Sequence, residues 1–284
     1  MMRLLALALP AGFAGTAVLT EGGRALDAAG LEGLRSLPAE WAVDTDRLVR
    51  SIDHAATSTW ATPLVVAFVV GLILHARHRA NPARRTLRSV PVAWSIVVAV
   101  VIGALAKVAL PRPVVDDAIL ASNSLPSGHT LGFAAVATIV GLWATTQVPA
   151  HRVVRALLAA GLVSWAVVIM VTTGHRPADV VAGLLVVEAA VVWSARIRPS
   201  KCSAVVVTGF AALALMPGVD APAGGAGAAL VAACWMVAVA ASSVGLADTF
   251  GRCVQAPVAA AGLRPGSSVT TANMVSATPN SPAL

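Results

Sequence analysis

Apolar runs long enough to cross a bilayer recur along this chain, and no other feature constrains its folding as strongly. Eight stand out, at about 4–20, 59–75, 90–109, 129–147, 156–173, 178–194, 203–217 and 227–246, against the roughly 20 residues a spanning helix needs. Hydrocarbon offers the backbone no partners, so runs of this length read as helices. The chain is accordingly 57% hydrophobic and only 12% charged, with a mean hydropathy of +0.81. No stretch is large enough for a soluble domain with an activity of its own. The expected fold is all-α, a polytopic membrane helix bundle.

The net charge of +7 is explained by orientation. Arg77, Arg79, Arg84, Arg85 and Arg88 follow the second run, Arg152 and Arg155 the fourth, and Arg196, Arg198 and Lys201 the sixth, in loops without an acid. The other face holds Glu21, Asp27, Glu32, Glu40, Asp44, Asp46 and Asp53 beside four arginines, and Asp116 and Asp117 in a second loop. The positive-inside rule puts the arginine loops and both chain ends in the cytoplasm, which suits an integral plasma membrane protein. Basic residues scattered over separate loops argue against a nucleic-acid partner. Cys202, Cys234 and Cys253 make neither a disulfide framework nor a metal-ligand spacing.

Four segments follow. Residues 1–58 hold a first span or signal anchor and an outside segment whose Leu31, Leu34, Leu37, Trp41, Leu48 and Ile52 recur at mostly helical spacing. That spacing predicts one or two short amphipathic helices on the membrane or capping the bundle, and a packed surface loop is the alternative. Residues 59–200 form a membrane core, 201–248 two additional spans, and 249–284 an Ala-, Gly-, Pro- and Ser-rich tail expected to be disordered and cytoplasmic.

Three polar clusters fall at run ends on the acidic face. The first is Lys107 with Arg112-Pro113. Bases at span ends commonly snorkel to the interface, but a point charge beside a planar guanidinium also suits a phosphate headgroup. The second is Ser124 through His129, containing Pro126-Ser127-Gly128-His129. The amides of Ser127, Gly128 and His129 at a helix start form an anion site, although an ordinary capped helix uses the same residue types. The third runs from Gly174 through His175, Arg176 and Pro177 to Asp179. Asp179 in the first turn of a helix can orient His175 and leave its other ring nitrogen nucleophilic; a capping aspartate beside a surface histidine is the plainer alternative. Glu188 lies roughly 13 Å further along the same run, at helical rise. It reads as a neutral or hydrogen-bonded glutamic acid packed between helices, with a substrate or proton path as the alternative.

In order and placement these clusters resemble the signature of the type 2 phosphatidic acid phosphatases, integral-membrane lipid phosphatases, over roughly residues 90–195. The resemblance implies a six-helix phosphatase core, with the last two spans outside it. It also implies metal-independent hydrolysis of a phosphomonoester or diphosphate on a membrane lipid at the outer face, without a cofactor. His175 would form a phosphohistidine, Asp179 would orient it, and His129 would protonate the leaving oxygen. Lys107, Arg112, Ser127 and Gly128 would hold the phosphoryl oxygens. Two departures stand out. Four residues, not six, separate Lys107 from Arg112, and Ile169 occupies the position of a phosphate-binding arginine, with Val168 in place of the preceding serine. Arg176, helped by Thr172 or Thr173, is the candidate replacement. The alternative function is a non-catalytic relative that binds or transports a phosphorylated lipid. Oligomeric state is not encoded in these features.

Overall fold

The computed structural model of the chain describes residues 2–36, 71, 75, 89–109, 125–147, 151–172, 175–216 and 225–255. Among them all regular structure is helical. The helices are α1 (Met2–Leu19), α2 (Glu21–Arg35), α3 (Ser89–Ala109), α4 (Gly128–Gln147), α5 (His151–Thr172), α6 (Pro177–Ala195), α7 (Lys201–Ala214) and α8 (Gly225–Gln255). Segments of α4, α5, α6 and α8 are long and apolar enough to cross a membrane. Large apolar side chains such as Ile102, Leu157, Leu213, Leu230 and Val237 face outward, as they do where lipid is the solvent. The run at 59–75 lies outside the described residues except for Gly71 and His75. At 14 residues, α7 rises only about 21 Å, short of a bilayer core of about 30 Å.

The most enclosed element is α6, and two apolar clusters meet along it. One joins it to α3, α4, α5 and α8 through Ile96, Leu131, Leu162, Leu184, Leu246 and Phe250. The other joins it to α1, α2, α5, α7 and α8 through Phe13, Leu34, Met170, Val181, Val207 and Trp235. Helix α1 is therefore an integral part of the bundle. So is α8, which packs against α2, α5, α6 and α7 and is not an appendage to a separate core. Its helix also continues past the expected tail boundary at Thr249 to Gln255. The reason is burial: Thr249, Phe250 and Cys253 are enclosed, and Phe250 packs against Gly141 of α4.

The amphipathic segment after the first span forms α2, which takes the capping option over Glu21–Arg35. Leu37, Trp41, Leu48 and Ile52 lie outside the described residues. Thr20 alone separates α1 from α2 and caps it, accepting from the Gly23 amide at 3.0 Å. Gly30 lets α2 approach α8, because a Cβ there would lie 2.2 Å from the Trp235 ring. Trp235 Nε1 in turn donates to the Leu26 carbonyl at 3.0 Å.

At the opposite end of α6, Glu188 binds three helices together. Its carboxylate accepts from the Ser200 amide at 2.7 Å, the Thr249 hydroxyl at 2.8 Å and the Ser203 hydroxyl. Arg252 extends the network to Thr249 at 3.0 Å and to Asp248 at 3.2 Å. Glu188 is thus hydrogen-bonded between helices, and it fastens α7 and α8 to α6. Replacing it by Ala strands these donors, at about 1–3 kcal/mol each where no water replaces them. Glu188→Ala is expected to lower the unfolding temperature of the detergent-solubilised chain clearly, and Glu188→Gln by less. Melting of Glu188→Ala together with wild type would contradict the tether.

Candidate functional site

Two helices start at one point, and their first turns are bonded to each other. Ser127 precedes α4 and is fully enclosed. Its Oγ accepts from the Thr130 amide at 3.3 Å and lies 3.2 Å from the Thr130 hydroxyl, the pattern of an N-cap. Its amide donates to the Asp179 carbonyl in the first turn of α6 at 2.8 Å. Gly183, one turn further along α6, lets the helices close. A Cβ there would sit 3.2 Å from Leu131 N and 3.3 Å from the Ser127 carbonyl oxygen.

This joint brings the two histidines together across 46 positions of sequence. His129 Nδ1 and His175 Nε2 are 2.9 Å apart, within hydrogen-bond range, and the rings meet edge to face. His175 is 8% exposed and His129 is half-buried. A hydrogen bond between two ring nitrogens requires one to carry a proton and the other a lone pair. The contact therefore sets a ring N–H against a ring lone pair. From α5, Trp165 Nε1 donates to the His129 carbonyl at 3.3 Å and stacks on Phe133 at 4.8 Å, steadying that turn.

The third cluster is built by tertiary contact. Arg176 occupies the N-cap of α6 but its side chain makes no cap bond there. Asp27 of α2 supplies one instead: its Oδ1 accepts from the Ala178 amide at 2.9 Å, and its Oδ2 lies 3.9 Å from Arg176 Nη1. Asp27 and Asp179 are both fully enclosed.

Of the expected site residues, the structure unites His129, His175, Ser127, Gly128, Arg176 and Asp179 at one end of the bundle. The Ser127 amide and hydroxyl are both engaged within the protein, the amide on Asp179 and the hydroxyl on the first turn of α4. Lys107 lies in the last turn of α3, four residues after Gly103, where α3 meets Leu131 and Pro126. The Lys107 and Thr172 side chains, and Arg112, Ser124, Thr173 and Gly174 entirely, lie outside the described residues. Ile169, at the position of the absent arginine, is buried in the apolar cluster beside Met170 and Val180. Asp27, Trp165 and Gly183 went unread in the sequence. The available signal for Asp27 was its register, since it shares one face of α2 with Leu31 and Leu34 and interrupts that face with an acid.

The joint is testable at Gly183. Gly183→Ala demands a few tenths of an ångström of movement, whereas Gly183→Leu forces α4 and α6 apart. Gly183→Leu is expected to lower the unfolding temperature of the detergent-solubilised chain far more than Gly183→Ala. Equal melting of Gly183→Leu and wild type would show that Gly183 does not set the separation.

No protein-family model matches this chain, and neither does any curated protein or solved structure.

Proposed function

We propose that this chain is an integral-membrane phosphatase that hydrolyses a phosphomonoester or diphosphate on a membrane lipid through a phosphohistidine. The observation that carries the reading is the 2.9 Å pair of His129 and His175, held where α4 and α6 begin. Helix N-termini favour anions, and a paired acid and base is the chemistry that phosphoryl transfer adds to mere binding. The resemblance of the three clusters to the type 2 phosphatidic acid phosphatases supports the same reading. The arginine-rich loops on the opposite face support a plasma membrane protein with its site facing outward and its termini inside.

In the resting pair the reacting nitrogens face each other, so substrate has to part them. Attack at about 3 Å, a P–O bond and a hydrogen bond to the leaving oxygen together need about 6 Å between the rings. The phosphoryl group then lies between them, against the Gly128 amide at the start of α4, with Lys107 and Arg112 as the cations of the site. The His175 lone pair forms the P–N bond as the P–O bond to the lipid breaks. The departing oxygen takes the proton carried by His129. Water next attacks phosphorus, gives its proton to His129 and releases inorganic phosphate as the P–N bond breaks and its electrons return to His175. The resemblance assigns the orienting of His175 to Asp179, which lies in the first turn of α6.

A second reading, binding or transport of a phosphorylated lipid without turnover, is favoured by Ile169, which stands buried where the resembled family has a phosphate-binding arginine. The two diverge in an assay of purified chain for phosphate release from phosphatidic acid, phosphatidylglycerol phosphate and polyprenyl diphosphate in EDTA. A phosphatase is expected to turn over at least one of them, with inhibition by vanadate. His175→Asn is then expected to abolish release and His129→Asn to slow it by about 10²- to 10⁴-fold. Wild type and His175→Asn equally silent on all substrates, with lipid phosphate still bound, would leave the binding reading.

A further inference from the structure

Arg176 was the sequence's candidate for the missing phosphate cation, but its nearest described countercharge is inside the protein. Asp27 reaches it from α2, 151 positions away from the Ala178 amide that the same carboxylate caps. The carboxylate is fully enclosed and the Arg176 side chain is only 15% exposed. Taking a carboxylate out of water costs several kcal/mol unless charge and hydrogen bonds compensate. The Ala178 amide, the positive end of α6 and the Arg176 guanidinium supply that compensation.

The same contacts clamp the segment that carries His175. The Arg176 carbonyl accepts from the Asp179 and Val180 amides at 3.0 and 3.3 Å, and the Asp179 carbonyl accepts from Ser127. Asp27 completes the clamp at Ala178. His175, one residue ahead, therefore hangs from a turn fixed by α2 on one side and α4 on the other. The start of α6 is also already occupied by a carboxylate, and a phosphoryl dianion placed there would be repelled. The anion-binding end left for substrate is that of α4.

We propose that Asp27 is a positioning residue for His175, and that Arg176 serves the reaction as the countercharge of Asp27 and not as a ligand of a phosphoryl oxygen. The proposal rests on the phosphatase reading for its kinetic consequences, though not for its structural ones. Arg176→Gln removes this countercharge from a buried carboxylate and disturbs the turn. Removing both charges relieves that conflict, and Asp27→Asn keeps an oxygen for the Ala178 amide, so the doubly substituted chain retains the cap.

The test uses the full chain in lipid nanodiscs, as wild type, Asp27→Ala, Asp27→Asn, Arg176→Gln and Asp27→Asn/Arg176→Gln. Two quantities are read: kcat and KM for release of phosphate from whichever of the three assayed lipids the wild-type chain turns over, and the ¹⁵N ring resonances of His175, assigned by their loss in His175→Asn. Arg176→Gln is expected to lower kcat by about 10- to 100-fold, as a small misplacement of a reacting group does, with little change in KM. The double substitution is expected to recover most of that loss, and Asp27→Ala to shift the His175 resonances without substrate. A KM increase of equal factor for Arg176→Gln in the wild-type and Asp27→Asn backgrounds would assign Arg176 to phosphate and overturn the proposal. Unchanged His175 resonances in Asp27→Ala would overturn it independently. If wild type releases no phosphate while Asp27→Ala still moves those resonances, the phosphatase reading falls and the positioning role stands.

Discussion

The amide of Ser127 on the carbonyl of Asp179 joins the starts of α4 and α6, and the site depends on that joint. The Ser127 amide belongs to the start of a helix, where N–H groups lack intrahelical partners and require others in an apolar medium, and the Asp179 carbonyl in the first turn of α6 accepts it. Satisfying one with the other leaves little freedom in how the helices meet. Gly183 then permits the approach, and the two imidazoles arrive within hydrogen-bond range. The histidine pair is thus a consequence of backbone pairing between helix ends.

The two acids outside the motifs show how the same residue type serves different ends of the bundle. Glu188 is surrounded by hydroxyl and amide donors from α7 and α8, an arrangement that fastens helices. Asp27 joins one helix start to one guanidinium, beside the segment carrying His175. Both are buried, and burial demands compensation in each case. Only Asp27 sits beside the segment that carries the histidine pair.

Much of this was legible in the chain. Uninterrupted apolar runs have few folding options, so the helices at 90–109 and 129–147 follow from composition and length. Alternating charge between loops and motif position at run ends indicated that His129 and His175 belong to one face. The amphipathic spacing of Leu31 and Leu34 marked α2. Other features were not legible, because they depend on which helices become neighbours. Nothing local tells that α8 packs through the bundle to Cys253, since its small and apolar residues read equally well against lipid. Nor does an Asp in an acidic loop announce that it will cap a helix begun far away.

The sequence by itself determined that the chain forms apolar helices and where along them the ionisable groups sit, because helical rise and the absence of water leave few alternatives. Only the tertiary structure decided which of those groups touch. It set His129 against His175, turned the Ser127 hydroxyl to capping its own helix, and gave Arg176 a partner in Asp27. The physical reason is that hydrogen bonds and charge pairs act over a few ångströms, and such distances are set by packing between helices.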